Sequence, residues 1–242
     1  MRLAVVSDVH GNLTALDAVA ADVERQGVDA VVQGGDLALM GPRPAEVVDR
    51  IRELGWEGIA GNTDELLWRP EERERQERIA PKLRPVLELL FEEYAPFTRE
   101  LLGDERIDWL RRLPLQLERD GLVVVHASPG DLWRAPMPDA DDERLHATYG
   151  ALGAAVVAYG HIHRPFVRTV GELTVANSGS VGMPWDGDPR ASYLLVDDDG
   201  VRVMRVEYDV EAEVGLLRRS RHPDVERLVA MRRTGKFVRP NQ

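Results

Sequence analysis

Five short apolar runs in this chain each end in a small polar cluster, and that repeated arrangement constrains the fold more than any other feature. The clusters are Asp8-Val9-His10, Gly35-Asp36, Gly61-Asn62-Thr63-Asp64, His126 alone, and Gly160-His161-Ile162-His163. A short apolar run bounded by turn residues reads as a buried strand. Polar residues that follow parallel strands converge at one edge of a sheet, where a rigid backbone holds them. Gly34, Gly35, Gly61 and Gly160 flank the clusters and let the backbone turn tightly enough to bring them together.

Between the clusters the periodicity switches to helical. Leu3 to Ser7 reads as a strand, followed by a helix opened by Asn12 or Thr14 and stopped at Gly27. Asp29 to Gln33 is a second strand, Pro44 to Ile51 a second helix ended by Gly55, and Trp56 to Ala60 a third strand. Such a βαβαβ run predicts parallel strands with right-handed crossovers.

Residues 65–112 read differently. The run from Pro70 to Arg78 is almost wholly charged and predicts a solvated helix laced with ion pairs. A helix through Leu83 to Phe91 and another from Asp104 to Arg112 follow, and the segment reads as a helical insertion within one domain spanning 1–242.

From Leu115 the pattern turns to β. A hairpin turns at Asp120-Gly121 into the strand Leu122 to Val125, and a strand from Ala154 to Ala158 delivers Gly160-His161. Two further hairpins turn at Gly171 and at Asp199-Gly200, and a helical tail follows. Two sheets packed face to face with helices outside is the economical architecture.

From these clusters come Asp8, Asp36, Asn62 and four of the six His in the chain as candidate ligands. Carboxylate, amide oxygen and imidazole suit divalent first-row ions such as Mn²⁺, Fe²⁺, Zn²⁺ or Ni²⁺. The set is large enough for two ions side by side, provided one carboxylate bridges them. Such a pair points to hydrolysis of phosphate esters. With no Cys, disulfides and thiolate ligands are excluded. A net charge of −11 argues against a generic groove for nucleic acid. No run is long enough to span a membrane and no signal peptide is visible, so the cytoplasm is the expected location. An oligomer is left open.

In this order, Asp8-x-His10, Gly35-Asp36, Gly61-Asn62-x-Asp64, His126 and Gly160-His161-x-His163 resemble the calcineurin-like metallophosphoesterases, and more narrowly their small phosphodiesterase-like branch. Gly160-His161-Ile162-His163-Arg164-Pro165-Phe166 resembles that branch's last histidine motif. Gly179-Ser180-Val181-Gly182 with Asp186 to Tyr193 resembles its C-terminal signature. The resemblance implies a four-layer αββα sandwich of two mixed sheets. It implies that Asp8, His10, Asp36 and His163 hold one metal, and that Asp36, Asn62, His126 and His161 hold the other. Most of the family carries His where this chain has Thr63, and that His is thought to assist the leaving group.

The expected reaction is in-line attack of a hydroxide shared by two metals on a small phosphate ester, with Asp36, Asn62 and His161 central to it. Diesters rank above monoesters. The competing readings are a small-molecule or protein phosphatase and a non-catalytic metal-binding scaffold. Arg134, Arg164 and Arg190 are candidate phosphate contacts, the last two also candidates for holding their own loops. Trp185 suits either a site cover or the core. His146 is a possible proton donor, though better read as an exposed bystander.

Overall fold

The computed structural model describes residues 1–240. Its first half runs β1 (Leu3–Val6), α1 (Leu13–Gln26), β2 (Ala30–Gln33), α2 (Pro44–Glu53) and β3 (Glu57–Gly58). Asn12 caps α1 by accepting the Ala15 amide, and Gly27 ends it in the left-handed conformation. A helical stretch follows: α3 (Asn62–Glu65), α4 (Glu72–Ile79), α5 (Arg84–Glu88), a π-helical turn (Leu89–Tyr94) and α6 (Ala95–Arg111). The second half runs β4 (Gln116–Arg119), β5 (Leu122–Val125), α7 (Asp142–Tyr149), β6 (Val156–Tyr159), β7 (Phe166–Val170) and β8 (Leu173–Asn177). It ends with β9 (Ala191–Asp197), β10 (Gly200–Val206), α8 (Val210–Arg219) and α9 (Val225–Thr234).

Two mixed five-stranded sheets result, ordered β10-β9-β1-β2-β3 and β4-β5-β6-β8-β7. The β1-β2-β3 set is parallel, as the βαβαβ pattern requires, and so is β5-β6-β8. Both faces of each sheet are covered, which is why the central strands are apolar at every position rather than alternating. Leu3, Val5, Val32 and Ile59 of the first sheet face Leu122, Val124, Ala158 and Ala176 of the second. Ala4 and Val6 turn the other way, into a core with α1, α2, α6, α8 and α9. Val123, Val125, Val157 and Val175 turn away from the first sheet onto α7. The layers are therefore helix, sheet, sheet, helix. No described helix is long and apolar enough to cross a membrane.

Two local readings are corrected. The third strand has only two residues instead of the five from Trp56 to Ala60, because the Ala60 amide leaves β2 and donates to Pro114 O at 2.9 Å. The charged run is a helix, but not a fully solvated one. Glu72 is buried and accepts from Gln76 and Arg75, while Arg73 pairs with Glu77 on the outside. The helix expected from Asp104 is present and runs to Arg111; a preceding helical segment from Ala95 meets it at Gly103, where φ is +69° and helical geometry is lost. The buried residues of α3 to α6, among them Leu67, Leu90, Tyr94 and Leu110, join the same core as β1 and α1.

His222, between α8 and α9, is buried with its ring edge-on to Tyr94 and Phe97 at 4.8 and 5.0 Å. Burial pulls its pKa down from 6.5 to about 4, against the attraction of Asp224. The unfolded chain therefore takes up this proton first. Stability should fall as pH drops from 6.5 towards 4 and level off below, by at most about 3 kcal/mol. His222→Asn keeps an acceptor for the Asp224 amide and cannot titrate. Thermal unfolding of the two proteins across that range should show a shallower slope for the variant; equal slopes would remove the assignment.

Candidate metal centre

The polar clusters meet where both parallel strand sets end. Asp8 and His10 follow β1, Asp36 follows β2, Asn62 follows β3, His126 follows β5, and His161 and His163 follow β6. The crevice outside the carboxyl ends of parallel strands is where such folds place ligands. Of the seven described non-glycine residues with positive φ, five are Asp8, His10, Asp36, His161 and His163. Backbone strain of this kind costs about 1–3 kcal/mol per residue and persists only where the surroundings over-determine it.

Those surroundings are specific. Asp64, buried, accepts the amides of Asp36, Leu37 and Gly61 at 2.8, 3.0 and 3.1 Å, tying the β2 loop to the β3 loop. The Ser180 hydroxyl donates to Asp8 O at 2.7 Å, and the Val181 and Gly182 amides donate to Ser7 O and Asp8 O. The C-terminal signature is thus the brace behind Asp8. Close packing demands glycine at two points: a Cβ on Gly61 would lie 2.0 Å from Asp36 Oδ1, and one on Gly160 would lie 2.1 Å from Asp8 Oδ2.

The side chains form two adjoining groups. Asp8, His10, Asp36 and His163, all buried, offer one ligand atom each within 4.8 Å of one another. In the second group, Asn62 Oδ1 lies 2.9 Å from both His126 Nε2 and His161 Nδ1. Asp36 touches both. Its Oδ2 is 3.8 Å from His10 Nε2 and its Oδ1 is 3.5 Å from His126 Nε2.

The tautomers decide what this arrangement can accept. His10 Nδ1 donates to Leu39 O at 3.1 Å, His163 Nδ1 to Met183 O at 2.6 Å and His126 Nδ1 to Gly34 O at 2.8 Å. His161 is reversed and donates Nε2–H to Trp133 O at 3.1 Å. Where these rings are neutral, the free lone pair then points inward. The Nε2 atoms of His10 and His163 face each other at 3.1 Å, and His163 Nε2 faces Asp8 Oδ1 at 3.0 Å. Asn62 Oδ1 likewise faces two imidazole lone pairs. Acceptor against acceptor is repulsive unless a proton or a cation stands between them. A carbonyl behind each imidazole is the usual second-shell partner of metal-ligating histidine. The donor set therefore fits divalent cations in both groups.

The electrostatics agree for His10 and His161. At His126 the effect of burial is outweighed by Asp36 and then Asp8, which hold that ring above its ordinary value and favour a proton on it. Burial pushes the Asp36 carboxyl up to about 7, against the pull of His126, with Asp8 and Asp64 adding to the rise. Burial would raise Asp8 too, but His163 beside it holds it below the ordinary carboxylate range. Burial, with His126 adjacent, lowers His161 to about 3. Burial, then His163, lowers His10.

All seven residues expected as metal ligands come together. The three arginines do not converge. Arg190 is taken up by Asp188 in a two-pronged ion pair at 2.6 Å and holds its own loop. Arg134 is half exposed, 3.6 Å from Asp131 and next to Trp133. Arg164 is exposed on the residue after His163. His146 is exposed on α7, its ring against Gly150. Trp185 packs face to face on His163 with centroids 3.8 Å apart, so it lies against the first group. Sequence reasoning missed the carbonyls of Leu39, Met183, Gly34 and Trp133, which carry no side-chain signal, and the role of Asp64. That Asp stands three residues after the glycine whose amide it accepts, a turn spacing that could have exposed it.

Residues 1–200 match the family model described as the calcineurin-like phosphoesterase superfamily domain. The chain is similar to the Methanocaldococcus jannaschii protein MJ0912, at 29% identity over 249 residues, covering 92% of this chain and 94% of that one. It is similar to phosphodiesterase YfcE of Escherichia coli, at 27% identity over 227 residues, covering 89% and 98%. Among solved structures it is similar to a metallophosphoesterase from Sphaerobacter thermophilus, with a TM-score of 0.77 at 28% identity, covering 97% of this chain and all of that one.

Proposed function

The chain belongs to the calcineurin-like phosphoesterase superfamily, and on that footing we propose that it hydrolyses small phosphodiesters with two divalent ions. Asp8, His10, Asp36 and His163 hold one ion, and Asp36, Asn62, His126 and His161 hold the other. The observation that carries this reading is the Asp36 carboxylate, which turns one oxygen towards each group. Two ions there would supply positive charge for the phosphoryl oxygens and activate a water as nucleophile. The similarity to a named phosphodiesterase supports diesters over monoesters. The helices between 65 and 112 are read as an insertion in one domain, on the support of the shared core.

The chain's own residues set the rest. Asp36 is oriented by the Thr63 amide, which donates to its Oδ1 at 2.8 Å. Asn62 presents its amide oxygen between two imidazoles. His161 is fixed by Trp133 O so that Nδ1 faces inward. Arg134 and Arg164 are the arginines free enough to reach a phosphate or its substituent. Thr63 is buried and its hydroxyl has no partner. A hydroxyl cannot act as a general acid near neutral pH, so without a donor other than Thr63 the leaving group departs largely unprotonated.

Stripping the protein with a chelator should abolish hydrolysis of aryl phosphodiesters, and adding back Mn²⁺ or Zn²⁺ should restore it. Across a series of aryl leaving groups the restored rate should rise steeply as leaving-group pKa falls. Full activity after stripping would refute the metal assignment. A flat series, in a step limited by chemistry, would reveal an acid in the place assigned to Thr63.

A further inference from the structure

Helix α9 contains a fully buried arginine. Arg232 has no solvent exposure, yet among the described residues its guanidinium does not form a close ion pair. Its Nη2 instead donates to two backbone carbonyls, those of His10 and Met40, each at 3.1 Å. Both carbonyls belong to residues in the left-handed region, with φ of +50° for His10 and +72° for Met40. The residue before Met40 is Leu39, whose carbonyl orients the His10 ring. One NH2 group thus pins together the loop that carries His10 and the loop that aims it. These loops already run as close as backbones can: a Cβ on Gly41 would lie 2.2 Å from His10 O.

The end of the same helix reaches the other histidine of the first group. Gly235, the left-handed cap of α9, accepts the Gly187 amide at 2.7 Å. Phe237 packs edge-on against Trp185 at 5.0 Å. Trp185 stacks on His163 and donates its own amide to His163 O at 3.0 Å. Met183, two residues earlier, accepts from His163 Nδ1. The loop that supports His163 from three directions is therefore sewn to the C-terminal end of α9. Among the described residues, no hydrogen bond runs from α9 or the residues after it to Asn62, His126 or His161.

We propose that α9 and the residues following it clamp the first metal position, with Arg232 the positioning residue for His10 and the Gly235–Phe237 segment the brace for His163. The inference rests on the metal assignment above and adds to it that the two ion positions are supported independently. The second is held within the sheet ends and the insertion side, through Gly34 and Trp133. The first depends on a helix near the chain's far end. Among the described residues the Arg232 Nε and Nη1 have no hydrogen-bond partner, while the buried Glu213 carboxylate lies within electrostatic reach and offsets its charge.

The test is cobalt titration of the chelator-stripped full chain, followed by calorimetry and by the visible d–d bands. Arg232→Met keeps the packing stem and removes the donors. Phe237→Ala removes an exposed ring and leaves the buried network intact. His163→Asn and His161→Asn serve as reference spectra for loss at the first and second positions. In Arg232→Met, one of the two ions should bind at least about tenfold more weakly, as second-shell losses do. The residual spectrum should match that of His163→Asn, and the other ion should bind within about threefold of the parent. Phe237→Ala should weaken the same ion in the same sense, and carries the test alone should Arg232→Met not fold. Wild-type affinities in both variants, or equal weakening of both ions, would overturn the clamp and leave the two-ion reading standing. Failure of the parent chain to bind two cobalt ions would sink that reading itself, and the clamp with it.

Discussion

Asp36→Asn should lower diester turnover by about 10³-fold or more, lose at least one metal ion, and yet make the stripped protein more stable than the parent above pH 7. The three effects have one cause. Asp36 is buried among Asp8 and Asp64, and burial raises its pKa to about 7 from 3.8. The folded, metal-free chain therefore keeps this proton where the unfolded chain releases it. Stability is lost as pH rises from 3.8 to about 7, and the full cost stands above that. Asn has the same shape and no charge to desolvate. It also offers only one oxygen, so it cannot bridge the two donor groups that Asp36 reaches from Oδ1 and Oδ2. Stability given up for function is common at active sites. Melting curves of stripped and loaded forms at pH 8 should cross over: the variant higher when stripped, the parent higher when loaded. A stripped variant that melts below the stripped parent would contradict the electrostatic part of this account.

Gly61→Ala is the second change with a large expected effect. The added methyl would lie 2.0 Å from Asp36 Oδ1 and 2.4 Å from the Asp36 amide nitrogen. The second contact is with backbone, so a rotamer change cannot relieve it. Either the β3 loop moves away from β2, breaking the Asp64 bonds to the Asp36 and Gly61 amides, or Asp36 turns out of its bridging pose. Overpacking of this kind costs about 1–3 kcal/mol, and a displacement of about 1 Å at a catalytic group can cost about 10²-fold in rate. Activity should therefore fall by that factor or more, with a lower melting temperature. Gly55→Ala is the contrast. Nothing lies within 4 Å of its Cβ, although its φ of +65° carries a strain cost of its own. It should lose stability without losing metal. Equal metal affinity in Gly61→Ala and the parent would show that the close approach does not hold Asp36 in place.

The candidate metal ligands were legible because their chemistry is rare in the positions they occupy. A His or Asp just past a run of Val, Leu and Ala has little structural reason to be there, and seven such residues converged. The four layers were legible too, since Leu122 to Val125 and Leu3 to Val6 are apolar on both faces and must be covered on both. What supports the site was less visible. Arg232 looked like one more cation in a helical tail, because nothing local distinguishes an arginine that donates to His10 O from one that faces water. Glu72 read as solvent-facing within a charged run, because its burial depends on how α4 packs. The short β3 follows from a tertiary hydrogen bond, Ala60 to Pro114, which leaves no periodic trace.

The most direct test of the central claim is anomalous diffraction from crystals of the protein loaded with Mn²⁺. Two peaks separated by about 3.5–4 Å should appear, one among Asp8, His10, Asp36 and His163 and one among Asp36, Asn62, His126 and His161, with Asp36 between them. A single peak, or two peaks that do not share Asp36, would contradict it.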